Sequence, residues 1–463
     1  MHTTRRQLCF LVASLLSPSR SNCFKQSLAI FSMSSRSPRG KRKSSSLTSS
    51  LTTMKDCAEK TDDSNRETEG QKRSHHTFGM APMKSSIFRE TAIADANSLT
   101  DGVKLRSMND NESTDSVILP FIGYGTYKLG REIARSKTLE AFEQGYRCID
   151  TAFIYGGETI ETQVGLAIQD AIEQKILENG RNDLFVITKH WRKYHGYEET
   201  NQCLRLSLRR LKLDYIDLWL MHWPGPAWNT MNRRKDLIKE YGPWHYAVHS
   251  EKDMPRIRAE TWRAMEDAMK SGKVKAIGVC NFTIKHLESL KKTASIWPPA
   301  VNQIECHPLF PQKELVEYCR KEGIVVQAYS SLGGQDVGKK FWRTLYPPPP
   351  KKRGESKPES VTKLSNTPPV LNLSKEKNRT SAQILLRWAL DKNFVVIPKT
   401  SSKERMLENA GIFDFSLSTY ELDKLESELE HALFEVAKAE KKDVDSMARL
   451  CWRNDPLRDL LFD

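Results

Sequence analysis

Four side chains in this sequence could together move a proton to or from an oxygen atom: Asp150, Tyr155, Lys189 and His222. Reducing a carbonyl needs a hydride donor, a proton donor beside the oxygen, and positive charge or hydrogen-bond donors where oxyanion character develops. A phenol near its ordinary pKa of about 10 is a poor acid at neutral pH unless a nearby cation lowers it. Lys189 could lower it if Asp150 held the lysine as an ion pair, and His222 could donate to the same oxygen and orient it. Taken singly, each residue has a blander reading. A Tyr or His at a strand end is more often a packing residue, and an acid–base pair is often only structural. A second group, Lys399, Thr400, Ser401 and Arg405, sets two cations beside two hydroxyls where a helix is expected to begin. That setting suits a phosphate dianion; a solvated helix start is the alternative.

Residues so far apart converge only if the fold collects strand ends. From about residue 118, short apolar runs rich in β-branched and aromatic residues alternate with segments of helical period, as in repeated βα units. The strand-like runs are Pro120–Gly125, Arg147–Thr151, Leu184–Thr188, Ile216–Met221, Ala276–Cys280, Ala300–Ile304, Ile324–Tyr329 and Phe394–Ile397. The amphipathic stretches between and after them include Arg131–Glu143, Tyr197–Leu211, Arg258–Ser271, Ile284–Ala294, Gln312–Lys321 and Ser381–Asp391. The pattern predicts an α/β fold, a closed (β/α)8 TIM barrel over residues 96–463. Asp150, Lys189 and His222 then stand at C-terminal strand ends, the face where such barrels build their sites. An open doubly wound sheet would usually bind its nucleotide through a Gly-rich turn, and no G-x-G-x-x-G follows any of these runs.

Two connections are longer than usual. One follows the fourth strand, from Trp223 to about Pro255, and carries Trp228, Trp244 and Tyr246. The other follows the seventh strand and reads as a low-complexity insert over about 334–367. It contains Pro347–Pro350 and the basic run Lys351-Lys352-Arg353, and its proline run reads as an extended linker.

Several stretches resemble the aldo-keto reductase superfamily over roughly residues 100–430. Gly145-Tyr146-Arg147-Cys148-Ile149-Asp150-Thr151-Ala152 followed by Tyr155-Gly156 is similar to the family's first signature. Ile187-Thr188-Lys189 and Leu220-Met221-His222-Trp223-Pro224 resemble its next two strand ends. The resemblance implies that Asp150, Tyr155, Lys189 and His222 form a catalytic tetrad with Tyr155 as general acid, and that NADPH or NADP+ is the cofactor. Ile277-Gly278-Val279-Cys280-Asn281-Phe282 is similar to the second signature, although Cys280 stands where serine is commoner. Asn281 and Gln303 would hold the nicotinamide carboxamide, and Tyr329 would stack on its ring. Gly125, Thr126, Ser330 and Leu332 fall in the same cofactor cleft. Ile397-Pro398-Lys399-Thr400 with Ser401, Arg405 and Asn409 resembles the third signature, which would hold the phosphate that distinguishes NADPH from NADH. Trp191 and Trp223 would line the substrate pocket. The stretch from Gly156 to Val164 is a few residues longer than the family pattern. Gly157 replaces a usual asparagine, and Gly334 a frequent serine.

Composition narrows the alternatives. The 463 residues carry a formal charge of +14. Residues 1–100 account for +8 of it (16 Lys/Arg against 8 Asp/Glu) and 331–379 for +7 (11 against 4), which leaves −1 for the remainder. A near-neutral body argues against a nucleic-acid partner, and no apolar run is long enough for a membrane span. The nine cysteines form no CxxC pair, so reduced thiols and no bound metal are expected. Residues 1–95 show no sustained apolar period and read as a disordered, targeting-type extension. The first 50 residues lack any acid, and Leu8–Leu16 is apolar. A transit peptide, a secretory signal and an ordinary tail bypassed by initiation at Met33, Met54 or Met80 all fit. A cytoplasmic or organellar address is expected ahead of a secretory one. The expected protein is a monomeric NADPH-dependent reductase of small carbonyl compounds. The alternative is an NADPH-binding regulatory or scaffold protein with little turnover.

Overall fold

Strands covered on both faces need apolar residues at every position, not at alternate ones. Phe185–His190 and Ile216–Met221 are buried at all six positions each, and they depart from that rule only at Thr188, Lys189, His190 and Asp217. A computed structural model describes residues 89–105, 116–226, 253–334, 337–350 and 360–451. In it the eight apolar runs form eight strands: Tyr124–Gly125, Cys148–Asp150, Phe185–His190, Ile216–Met221, Val274–Cys280, Val301–Glu305, Val325–Tyr329 and Val395–Val396. They are numbered first to eighth below. Each pairs in parallel with its neighbour in chain order. The ring closes where Ile122 bridges Val396 and the Gly123 amide donates to the Val396 carbonyl at 2.8 Å. The closure is tight. A Cβ on Gly125 would lie 2.6 Å from the Ile397 carbonyl oxygen, so only glycine fits there. The fold is a (β/α)8 barrel, as expected.

Helices cover the outside and return the chain to the start of each next strand. Arg131–Glu143, Tyr197–Leu211 and Ser381–Asp391 occupy the expected ranges. The last is fixed at its start by a capping box between Thr380 and Gln383. Ile160–Glu173 is a further helix, and it buries Ile160, Val164, Ala167, Ile168 and Ala171 along one stripe. Pro368–Lys377 and the long helix Thr419–Glu440 also lie outside the ranges read from the sequence.

Two segments differ from the sequence reading in detail. Residues 89–95, placed there in the N-terminal extension, form the short strand Arg89–Glu90 and a one-turn helix, Ile93–Asp95. Arg89–Glu90 pairs with Asp101–Leu105, which runs antiparallel to Val117–Pro120. Ile93 and Val103 line a cavity of about 290 Å³ with Phe121, Ile324 and Val395 at the N-terminal side of the strands. Within the insert after the seventh strand, Lys339–Leu345 forms a helix. Its Trp342 and Leu345, three residues apart and so on one face, are both buried.

The readings made for residues 1–88, for Trp228, Trp244 and Tyr246 and for the run Lys351-Lys352-Arg353 fall outside the described residues. Among the described residues, no helix is long and apolar enough to cross a membrane.

Candidate active site

Strand register brings the first pair of charges together. Asp150 pairs with Ile187 across the second and third strands, and Lys189 lies two residues further along the same face as Ile187. That diagonal is within reach of a long side chain. Lys189 Nζ sits 2.6 and 2.7 Å from the two Asp150 carboxylate oxygens, and both side chains are almost wholly withdrawn from water. Lys189 also donates to the Thr151 carbonyl at 2.9 Å and to the Tyr155 hydroxyl at 3.2 Å. From across the barrel, the Gln303 amide donates to Asp150 Oδ2 at 2.9 Å and to Gln327 Oε1 at 2.6 Å.

An ammonium group has donors and no acceptor. In the Lys189–Tyr155 contact the phenol oxygen must therefore accept, and the phenol proton must point elsewhere. The sequence reading expects Lys189 to lower the Tyr155 pKa. The structure differs: burial, then the Asp150 carboxylate, hold it well above its ordinary value of 10. Asp150 neutralises the lysine charge, so little net positive potential remains to pull the phenol down. Tyr155 is thus held in its protonated form. His222 follows the fourth strand, its ring centroid 6.0 Å from that of Tyr155. Burial, then Lys189, Arg192 and His190, push its pKa well below 6.5, so the imidazole is neutral.

The remaining residues surround this centre. Trp191 lies 5.8 Å from the His222 ring between centroids, and Trp223 stacks at 6.4 Å. Thr126 is buried, with Oγ1 donating to the Asp150 carbonyl at 2.9 Å. Cys280 is buried at the end of the fifth strand, and burial raises its thiol pKa far above the usual range. Asn281 takes a left-handed backbone (φ 61°), which Asn tolerates better than most residues. Its amide donates to the His222 carbonyl at 3.0 Å, and the Tyr329 hydroxyl donates to its Oδ1 at 2.8 Å. Ser330 is also left-handed (φ 56°), and its hydroxyl lies 2.9 Å from Cys451 Sγ. Leu332 is half-buried against the core.

The third cluster forms a helix start as expected. Ser402 caps the helix Lys403–Ala410 by accepting from the Arg405 amide, and its own amide donates to Thr400 Oγ1 at 3.1 Å. The Thr400 carbonyl accepts from Tyr124 at 2.6 Å, which ties the loop to the first strand. Asn409 is buried, whereas Ser401 and Arg405 are exposed. Burial and then Lys128 lower the Lys399 pKa, as expected of two cations crowded where an anion would relieve them.

Several neighbours escaped the sequence reading. Tyr127 packs 5.1 Å from Tyr155 between ring centroids, and Lys128 approaches Lys399. Their signal was position, directly after Gly125-Thr126 at a strand end. Gln327 is cross-strand partner to Gln303 and the one amide in the run Val325-Val326-Gln327-Ala328. Glu305 Oε1 accepts from the amides of Leu450 and Cys451 at 2.5 and 3.0 Å, anchoring the C-terminal segment beside the mouth. Nothing local in the sequence announces a pairing 145 residues apart.

Residues 121–430 match the sequence profile of the Aldo/keto reductase family. The chain is 37% identical over 305 residues to aldo-keto reductase family 1 member A1 of Xenopus tropicalis, covering 66% of this chain and 84% of that protein. It is 36% identical over 332 residues to glyoxal reductase of Bacillus subtilis, covering 71% and 93% respectively. Among solved structures, a Bombyx mori aldo-keto reductase in complex with NADP superposes with a TM-score of 0.53 at 30% identity, covering 70% of this chain and 93% of that one. With the barrel and its mouth in agreement, this chain belongs to the aldo/keto reductase family.

Proposed function

We propose that this protein reduces small aldehydes or ketones to alcohols with NADPH, Tyr155 acting as the proton donor. The observation that carries the reading is the buried chain from Asp150 through Lys189 to the Tyr155 oxygen. It leaves the phenol proton undirected toward the lysine and so available to a carbonyl oxygen in the mouth.

The site fits a phosphorylated dinucleotide on its own chemistry. Lys399 and Lys128 crowd each other beside the capped helix start, where helix amides and cations favour a phosphate. Lys399 and Arg405 would hold that phosphate, and Asn281 and Gln303 would orient the nicotinamide amide. When bound, the reduced nicotinamide supplies the hydride. The Bombyx mori relative's complex with NADP supports the same choice.

This chain's residues do the rest. His222, neutral, donates to the carbonyl oxygen and fixes its direction. As negative charge develops there, the proton passes from Tyr155 to the oxygen, and the Lys189 hydrogen bond to the phenol oxygen strengthens as that oxygen becomes anionic. Asp150 holds the lysine in place through both carboxylate oxygens. Tyr127, Trp191 and Trp223 form an aromatic wall suited to flat or apolar carbonyls and to the glyoxal-type substrate for which the Bacillus subtilis relative is named.

The test is NADPH oxidation with a panel of aliphatic, aromatic and sugar aldehydes, run on the protein and on Tyr155→Phe. Turnover should fall at least ~10³-fold in the variant while NADPH binding stays unchanged. A variant that retains turnover removes Tyr155 from the mechanism. Intact NADPH binding without turnover on any carbonyl would point to the regulatory reading.

A further inference from the structure

The insert after the seventh strand is absorbed by none of the chemistry above. It carries the run Pro347–Pro350, followed in sequence by Lys351-Lys352-Arg353. Three properties of the run are fixed by covalent geometry and placement. Proline holds φ near −65° and forces the residue before it into an extended backbone, so consecutive prolines form a left-handed polyproline II turn. The cis peptide bond among the described residues is Trp297-Pro298, so these prolines are joined in trans, as that helix requires. All four prolines are exposed.

The run starts from a fixed base. The helix Lys339–Leu345 buries Trp342 and Leu345 and packs on the long helix Thr419–Glu440. Tyr346, half-buried, closes the helix with its amide on the Trp342 carbonyl at 2.8 Å. The prolines follow at once. Lys339, Lys340 and Arg343 on the same helix are exposed, so cations precede the run as well as follow it.

We propose that Pro347–Pro350 is a docking ligand for a protein domain of the SH3 kind, with an aromatic-lined groove and an acidic rim. With three residues per turn, Pro347 and Pro350 fall on one edge of the helix, spaced to enter two adjacent aromatic pockets. Proline has no amide N–H, so pairing with a sheet edge is excluded and recognition must use ring faces and carbonyl oxygens. The clustered lysines and arginines select an acidic rim over a neutral one. Pre-formed backbone and a fixed base reduce the ordering cost of binding. The four prolines carry none of the side chains assigned to the reductase chemistry, so their replacement tests docking separately from it.

The experiment titrates the full chain into isotope-labelled SH3 domains with acidic specificity loops and, in parallel, into a WW domain. Chemical-shift changes confined to the aromatic groove of at least one SH3 domain are expected. Raising salt from roughly 0.05 to 0.5 M should weaken binding several-fold. Pro347→Ala combined with Pro350→Ala should weaken it at least about tenfold and leave carbonyl reduction and thermal unfolding unchanged. The proposal is overturned by equal binding of the double variant, by the absence of groove shifts in every SH3 domain at about 1 mM protein, or by salt-independent binding to the WW domain alone.

Discussion

At the N-terminal ends of the third, fourth and fifth strands, Asp217 draws together Arg181, Lys275 and the Val186 amide. At the opposite ends of neighbouring strands, Asp150 draws together Lys189, Gln303 and, through the lysine, Tyr155. Both are carboxylates that gather strands around a cation. At the base the cations reach solvent, with the Lys275 side chain 41% exposed, and both lie 4.2 Å from the Tyr215 ring centroid. At the mouth the cation is 0% exposed and one of its partners is an ionisable phenol. Water can screen and replace the base interactions. It barely reaches the Asp150–Lys189 pair, which is screened far less and acts on the half-buried phenol beside it. Burial turns the same kind of pair from a strand staple into one that bears on the protonation of a neighbouring phenol.

The sharpest way to break this contrast is to remove each cation. Lys189→Met should lower kcat at least ~10³-fold, and it should destabilise the fold by about 3–5 kcal/mol because Asp150 is left buried and unpaired. Lys275→Met should leave kcat within about twofold. A Lys189→Met enzyme within tenfold of the parent rate would mean that burial of the pair has no catalytic consequence.

Next in size is the phosphate site at the same end. Lys399→Ala combined with Arg405→Ala should raise the NADPH Kd by roughly 10- to 100-fold, equivalent to about 1.4–2.8 kcal/mol. NADH binding should change little. Equal losses for both cofactors by calorimetry would show that these cations hold something other than the distinguishing phosphate.

The base is tested by Asp217→Asn, which removes a charged acceptor from the Val186 amide and both cations. A cost of about 2 kcal/mol in denaturant unfolding is expected with kcat unchanged. A fall in kcat matching that at the mouth would erase the distinction between the two ends.

The contrast also explains what the sequence made legible. Strands buried on both faces declare themselves as apolar runs, and a run that ends in Asp150 or Lys189 marks a charge that must find a partner inside. The helix Ser381–Asp391 was readable to the residue because Thr380 and Gln383 cap it locally. The direction of the Tyr155 shift was not readable. It depends on how completely Asp150 neutralises Lys189, which is set by distances between strands that only closure determines. Gln327 and the Glu305 anchor for Leu450 stayed hidden for the same reason: each acts through a partner on another strand or at the far end of the chain. The helix Lys339–Leu345 was masked by the proline and lysine bias around it.

The smallest expected effect is on the pH profile, and it separates the two accounts of Tyr155 most cleanly. If Lys189 lowered the phenol, kcat/KM for reduction would fall as Tyr155 ionised somewhere below pH 10. With Tyr155 held well above 10, the donor stays protonated through that range. With His222 held well below 6.5, the imidazole stays neutral and gains no charge at the ordinary histidine pKa. The expected kcat/KM is therefore flat within about twofold between roughly pH 6.5 and 9. A descending limb near pH 8 would restore the lysine as a pKa-lowering cation, and a step near 6.5 would make His222 an ordinary exposed imidazole. Acid must still act, through stability. His190, depressed to about 4, His195 and His222 remain neutral in the fold but protonate in the unfolded chain below about pH 6.5. Unfolding is favoured progressively from that point, and for His190 the loss levels off only below about 4. Because all three histidines lie at or beside the mouth, His190→Asn should flatten the acid limb of denaturant stability without altering the plateau in kcat/KM. An unchanged acid limb would place the acid sensitivity elsewhere in the barrel.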